Sequence, residues 1–166
     1  MDIRAEIRAD ERTIDEIHRL AFGGEAEAQM VKDLRAGPTS IPDLSLVAVE
    51  GGSAVDHVMF TVVTFVPDEE GKPEVPVLSL APLGVHPSAQ RQGIGKRLVE
   101  TGLRRASMRI EPFVVVLGIP AYYPKFGFKR ASEQHIRCPF PDAADEAYMV
   151  RRMPGYRPVG PGTVRY

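Results

Sequence analysis

Between Leu80 and Arg109 the chain reads LAPLGVHPSAQRQGIGKRLVETGLRRASMR. Gly93 and Gly95 fall between an apolar run and a helical stripe, in the company of Gln90, Arg91, Gln92 and Lys96. Glycines at such a junction take backbone conformations closed to other residues and leave their amides uncovered. Amides that converge on a helix N-terminus, with the positive end of the helix dipole behind them, hold anions. The stretch carries six basic residues (Arg91, Lys96, Arg97, Arg104, Arg105 and Arg109) against one acid, Glu100, in a chain of net charge −1. That local excess suggests a polyanionic ligand, with its phosphate on the turn. Spacing narrows the choice. A Walker loop needs glycine where Gln90 stands and Ser or Thr where Arg97 stands, and a dinucleotide fingerprint needs glycine at Leu98. What remains is Gln-x-x-Gly-x-Gly between a strand and a helix.

A second group follows. Phe113 to Leu117 is a short apolar run suited to a strand buried on both faces. Then comes Gly118-Ile119-Pro120-Ala121-Tyr122-Tyr123-Pro124-Lys125-Phe126-Gly127-Phe128. Pro124 is tolerated in a first helical turn, which puts Tyr123 at a helix start. A phenol there is a weak acid, with an unperturbed pKa of about 10. In this order the two segments resemble the signatures of the GNAT N-acetyltransferases: the acyl-CoA pyrophosphate loop Arg/Gln-x-x-Gly-x-Gly/Ala, and a short helix with Tyr-x-Lys-x-Gly-Phe. The likeness is strong from Leu78 to Phe128 and weaker, though consistent, elsewhere. With Ala21-Phe22-Gly23-Gly24, it extends to the small, poorly assigned bacterial members.

The resemblance implies an α/β (α+β) fold, with a mixed, mostly antiparallel sheet, a splayed parallel strand pair that holds CoA, and about four flanking helices. It implies acetyl-CoA as co-substrate and no metal. Pro82 would mark the bulge or splay in the strand entering the loop, since proline cannot donate to a ladder. By the same likeness, Leu83 and Val85 would offer main-chain contacts to the pantetheine arm, and the Leu83 amide would face the thioester carbonyl. Arg91, Gln92, Gly93, Ile94, Gly95 and Lys96 would hold the pyrophosphate. Tyr123 would protonate the departing thiolate, with Tyr122 the next candidate. Many relatives carry a glutamate on the bulged strand as base, yet Val77 to Leu83 holds no carboxylate. His57, His86, Glu25 and Glu27 are the substitutes on offer. Ile119 stands where many relatives hold the cofactor arm with a polar residue. The leading expectation is transfer of acetyl to a primary amine of a small molecule or peptide. A non-catalytic acyl-CoA sensor and a ligand-free interaction protein are the alternatives, and the likeness leaves room for a homodimer.

The remaining residues supply the frame. With 166 residues, 43% hydrophobic and 26% charged, the chain suits one core-forming domain, expected over residues 1–153, with a Pro/Gly-rich tail at 154–166. The near-neutral charge argues against a nucleic-acid binder, and no apolar run approaches membrane-spanning length. Charges at Asp2, Arg4, Glu6, Arg8 and Asp10 argue against a signal peptide, so a cytoplasmic location is expected. Cys138, the one cysteine, reads as passive. An edge strand is expected at Ile3 to Ile7. Helices follow at Thr13 to Phe22 (Ile14, Ile17, His18, Leu20 and Ala21 as the stripe) and at Glu25 to Ala36 (Ala26, Met30, Val31 and Leu34 inward). His18 is read as a helix-surface residue. A hairpin at Leu44 to Val66 and strands at Val77 to Val85, Lys129 to Arg137 and Ala147 to Met153 complete the frame. The helix after the loop would bury Ile94, Leu98, Leu103, Ala106 and Ile110.

Overall fold

The helical stripes become three α-helices in a computed structural model that describes residues 1–166: α1 (Glu11–Phe22), α2 (Ala26–Ala36) and α3 (Ile94–Ala106). Nine strands accompany them: β1 (Asp2–Ala5), β2 (Ser40–Glu50), β3 (Ser53–Pro67), β4 (Val75–Val85), β5 (Phe113–Leu117), β6 (Lys129–Arg130), β7 (Ile136–Arg137), β8 (Tyr148–Arg152) and β9 (Gly162–Arg165). The chain divides into two units, one of Met1–Thr61 and Ala81–Ala106, the other of Val62–Leu80 and Ser107–Tyr166. β3 and β4 run through both.

In the first unit the strand order is β1-β2-β3-β4. β1 and β2 pair antiparallel from Asp2↔Val49 to Ala5↔Leu46, and β2 and β3 pair antiparallel with a register irregularity between Ala48 and Val49. α1 and α2 bury Ile14, Ile17 and Val31 against Val47, Ala54 and Met59. α1 stops where Gly23 turns left-handed at φ 74°, as glycine permits at a helix end. α3 buries Ile94, Leu98, Val99, Leu103 and Ala106. It approaches β3 closely because Gly102 has no side chain: a Cβ there would lie 2.5 Å from the Phe60 ring.

In the second unit β4 and β5 pair in parallel at Leu78↔Val114 and Ser79↔Val115, both ahead of Pro82, whose peptide bond with Ala81 is cis. β5 and β8 pair antiparallel, as do β8 and β6. β9 pairs antiparallel with β3 and parallel with β7. Phe65, Phe113, Val115, Tyr148, Val150 and Val164 form the core of this unit. The apolar run of β5 is buried from Phe113 to Val116, as a strand covered on both faces should be.

Several expectations need correction. α3 ends at Ala106, and Ile110 is 91% exposed rather than inward. Pro112 lies two residues beyond it and disfavours helix at Glu111. Leu20 and Met30 face outward and Ala26 is exposed, while α2 buries Val31 as expected and Ala28 in place of Ala26 and Met30. The expected strand from Lys129 to Arg137 is broken by a 3-10 turn, Ala131–Gln134, and by His135 at φ 59°. Its halves take different partners, β6 joining β8 and β7 joining β9. The tail is not all loop, since β9 buries Val164 completely. The fourth helix is a single 3-10 turn, Tyr123–Phe126.

Gly102→Ala gains helix propensity of about 1 kcal/mol, but its methyl collides with Phe60, and overpacking costs about 1–3 kcal/mol. We expect a net fall in melting temperature of a few degrees. A rise would show that Phe60 yields freely.

Candidate active site

The anion-binding turn is built as its sequence suggests. β4 ends at Val85, His86 caps a 3-10 turn at Pro87–Ala89 by accepting from the Ser88 amide, and residues 90–93 form a turn before α3. Two side chains brace it from within: Gln90 Nε2 donates to Val85 O (3.2 Å) and Gln92 Nε2 to Ser88 O (2.8 Å). Arg91 and Gly93 are both left-handed, at φ 61° and 77°. A non-glycine residue in that region costs about 1–3 kcal/mol and persists where the surroundings impose it. The Arg97 amide donates to Gly93 O, 3.2 Å away. The amides from Gly93 to Lys96 therefore have no carbonyl a turn behind them inside the helix. Arg91, Gln92, Gly93, Lys96 and Arg97 are exposed, and a Cβ at Gly93 would meet nothing within 4 Å. Ile94 and Gly95 are buried and anchor the helix start. Leu83 and Val85 are half-buried on β4. All eight expected cofactor-binding residues thus lie on one continuous β4–turn–α3 segment of the first unit.

A polar chain that sequence reasoning missed runs through the same unit. His18, expected at the surface, is fully buried, because it shares the α1 face of Ile14 and Ile17. Its position one turn after Ile14 was the available signal. His18 Nε2 lies 2.8 Å from His57 Nδ1. His57 Nε2 lies 3.0 Å from Ser45 Oγ and 3.2 Å from Glu6 Oε2. Arg35 grips Glu6 with two nitrogens, at 2.6 and 3.1 Å. Burial pushes Glu6 up, but bonds from His57 and Arg35 outweigh it and hold the carboxyl at about 2. Burial pulls His57 down, against the pull of Glu6. Burial, with repulsion from His57 and Arg35, brings His18 to about 3. Both rings are therefore neutral near pH 7. Of the other substitutes for a base, Glu25 is paired with Arg19 at 3.0 Å and His86 with Ser88 Oγ at 2.7 Å.

Tyr123 belongs to the second unit. It opens the 3-10 turn with Pro124 behind it, as expected, and is 7% exposed. Its ring sits edge-on to Phe128 and fills the space over Gly118, where a side chain would collide with it. Burial pushes its phenol above the usual range, so the hydroxyl stays protonated at neutral pH. Tyr122 is half-buried, with the Lys125 ammonium 3.7 Å from its ring centre.

Residues 43–130, more than half of the chain, match the acetyltransferase (GNAT) domain. The chain belongs to the GNAT family. Among GNAT relatives it is 35% identical over 154 residues to the uncharacterized N-acetyltransferase YhbS of Escherichia coli, covering 92% of this chain and 87% of that protein. It is 37% identical over 136 residues to the uncharacterized N-acetyltransferase YjhQ of Escherichia coli, covering 81% and 73%. The crystal structure of Escherichia coli YhbS in complex with CoA aligns at a TM-score of 0.83 and 33% identity, over 99% of this chain and 88% of that one. A GNAT acetyltransferase from Brucella melitensis in complex with acetyl-CoA aligns at 0.77 and 27%, over 99% and 94%. The GNAT domain and these relatives mark the chain as an acyltransferase. No helix in it is long and apolar enough to cross a membrane.

One buried acid stands apart. Asp56 on β3 is completely buried, neither carboxylate oxygen has a hydrogen-bond partner, and desolvation raises it to about 8 against a weaker opposing pull from the His57 amide. For an acid raised from 3.8 to about 8, its contribution to stability is whole below the lower value and is lost as pH rises through the higher one. Asp56→Asn removes that loss. The melting-temperature difference, variant minus wild type, should widen by several degrees between pH 4 and pH 8, and a constant difference would show that Asp56 does not titrate there.

Proposed function

We propose that this chain is an N-acetyltransferase that moves the acetyl group of acetyl-CoA to a primary amine of a small molecule or peptide, by direct attack in a ternary complex. The observation that carries this reading is the turn before α3. Its left-handed Arg91 and Gly93 leave a row of amides without helical partners at the positive end of a 13-residue helix, with Arg91 and Lys96 exposed beside them. A pyrophosphate satisfies those donors and the exposed charges together. Support for the ligand comes from GNAT structures of the same fold that are in complex with CoA and acetyl-CoA.

In this reading the main chain at Leu83 and Val85 engages the pantetheine arm, and the Leu83 amide stabilises the oxyanion that forms on the thioester carbonyl oxygen. Tyr123 donates the proton to the departing thiolate. Its burial keeps the hydroxyl protonated at neutral pH and makes it a weaker acid than a free phenol. A second reading, a CoA-binding sensor without turnover, is favoured by one observation: β4 from Val77 to Leu83 holds no carboxylate.

Gly93→Glu sets a carboxylate and a strained left-handed residue at the pyrophosphate position. Acetyl-CoA affinity measured by calorimetry should fall by at least about 100-fold while the fold survives, and undiminished binding would remove the loop from the account. Tyr123→Phe should lower kcat about 10²–10⁴-fold, the usual range for a lost general acid, with the KM for acetyl-CoA within a few-fold. Tyr122→Phe should be much milder. Near-wild-type rates in both variants would take the proton-donor role from Tyr123, and a wild type that binds acetyl-CoA but releases no thiol with any amine would favour the sensor.

A further inference from the structure

A cavity in the second unit lies outside both signature segments. It has a volume of about 300 Å³, at the small end of the range for ligand sites. It sits where the end of β3, the start of β4, the residues before β5 and the segment after β8 come together. Its walls are preformed. Val75 and Val159 line it and rest on the core of the unit. The segment carrying Val159 is tied down by Tyr156, whose amide donates to Met153 O at 2.9 Å. The Tyr156 ring packs on Phe113, with centres 6.5 Å apart, and carries the Arg152 guanidinium 4.3 Å from its own centre. Pro67, Pro73, Pro112 and Pro158 add apolar wall, and their fixed φ leaves little backbone freedom to lose when a ligand arrives. Ile110 also lines the cavity while 91% exposed, so a ligand that covers it removes apolar surface from water.

The polar groups give the sign of the charge that such a ligand carries. Proline has no N–H, so four of the wall residues offer an anion no backbone donor. Lys72 and Arg157 are the charged groups of the lining, and no acid accompanies them. The acids next in sequence to lining residues are engaged elsewhere: Asp68 with Arg137, Glu74 with Arg165 at 2.7 Å, and Glu111 with Arg109 at 2.7 Å. Lys72 has Glu69 3.3 Å away, an exposed pair of the kind that contributes little. Arg157 is exposed and has no ion pair of its own.

We propose that this cavity binds a small monocarboxylate with an apolar body, an aryl or branched-alkyl acid. Its carboxylate is met by Arg157 and Lys72, and its hydrocarbon lies on Val75, Ile110 and Val159. A guanidinium offers a carboxylate two parallel N–H donors, and the ammonium adds a mobile point charge. A small polar anion would leave the valines and Ile110 uncovered. A neutral apolar molecule would leave both cations without a partner. The site stands apart from the acetyltransferase reading, since none of its residues belongs to the turn before α3 or to the 3-10 turn of Tyr123.

The test titrates the full chain, carrying 13C-labelled isoleucine and valine methyls, and follows it by NMR. The probes are benzoate and 3-methylbutanoate, with benzamide as a neutral counterpart and acetate as an anion without an apolar body. The Val75, Ile110 and Val159 methyls should shift saturably with both acids, and benzamide and acetate should bind at least about tenfold more weakly. Arg157→Gln, at an exposed position, should weaken benzoate about fivefold, and adding Lys72→Gln should weaken it further, with benzamide unaffected. Added salt should weaken benzoate and spare benzamide. Acids that leave those methyls unmoved at about 20 mM, well above a millimolar dissociation constant, would overturn the proposal. So would benzamide binding as tightly as benzoate, or a double variant that holds benzoate as the wild type does. Methyls that shift on dilution of the free protein and with neither acid would mean that this face joins two copies of the chain, which would also overturn it.

Discussion

Everything in the first unit is arranged around the unmet hydrogen bonds of one helix start. A helix leaves its first amides without partners, and α3 has no acid in its first turn. The turn that precedes it forces Arg91 and Gly93 into left-handed backbone and keeps Gly93 clear of neighbours. An acidic cap would stabilise α3 more cheaply, yet it would also occupy and repel what an anion needs. The helix is secured instead from behind, through Ile94, Leu98 and the side-chain-free approach of Gly102 to Phe60. Core packing thus carries the stability that the terminus forgoes.

The same unit holds an uncommon load of buried polar groups. His18, His57 and Asp56 are completely buried, and Ser45 is nearly so. Each costs free energy unless its partners are supplied. Glu6 and Ser45 satisfy His57 Nε2, Arg35 satisfies Glu6, and His57 satisfies one nitrogen of His18, but the chain stops there. Asp56 is left without partners on the neighbouring residue of β3, where desolvation keeps it protonated up to about pH 8. In the second unit the corresponding core is made almost entirely of aromatic and β-branched residues, with phenols gathered at Tyr148 and Tyr166, whose hydroxyls lie 3.4 Å apart.

How much of this was legible in the residues depended on whether the signal was local. The two glycines, the basic residues beside them and the proline after Tyr123 act within a few positions of themselves, so the loop, α3 and the 3-10 turn were readable. So were β5, whose apolar run is continuous, and the α1 stop at Gly23. Partnerships across long separations were not. Gly162–Arg165 is too short to show alternation, and it becomes β9 only because β3 and β7 offer it two edges. His18 was read as a surface residue since histidine on a helix usually is one. Its place on the α1 face of Ile14 and Ile17 pointed inward, but the partner that receives it there, His57, lies far from it in sequence. Ile110 fitted the helical spacing, but α3 ends before it, at Ala106, and leaves it exposed.

The central claim is that the amides at the start of α3 hold the pyrophosphate of CoA. It is tested most directly by amide NMR of protein labelled with 15N-glycine, titrated with CoA. Gly93 and Gly95 resonances should move first and furthest, and 3′-dephospho-CoA should reproduce those shifts because it keeps the pyrophosphate. Saturable CoA binding that leaves both glycine amides unmoved would contradict the account.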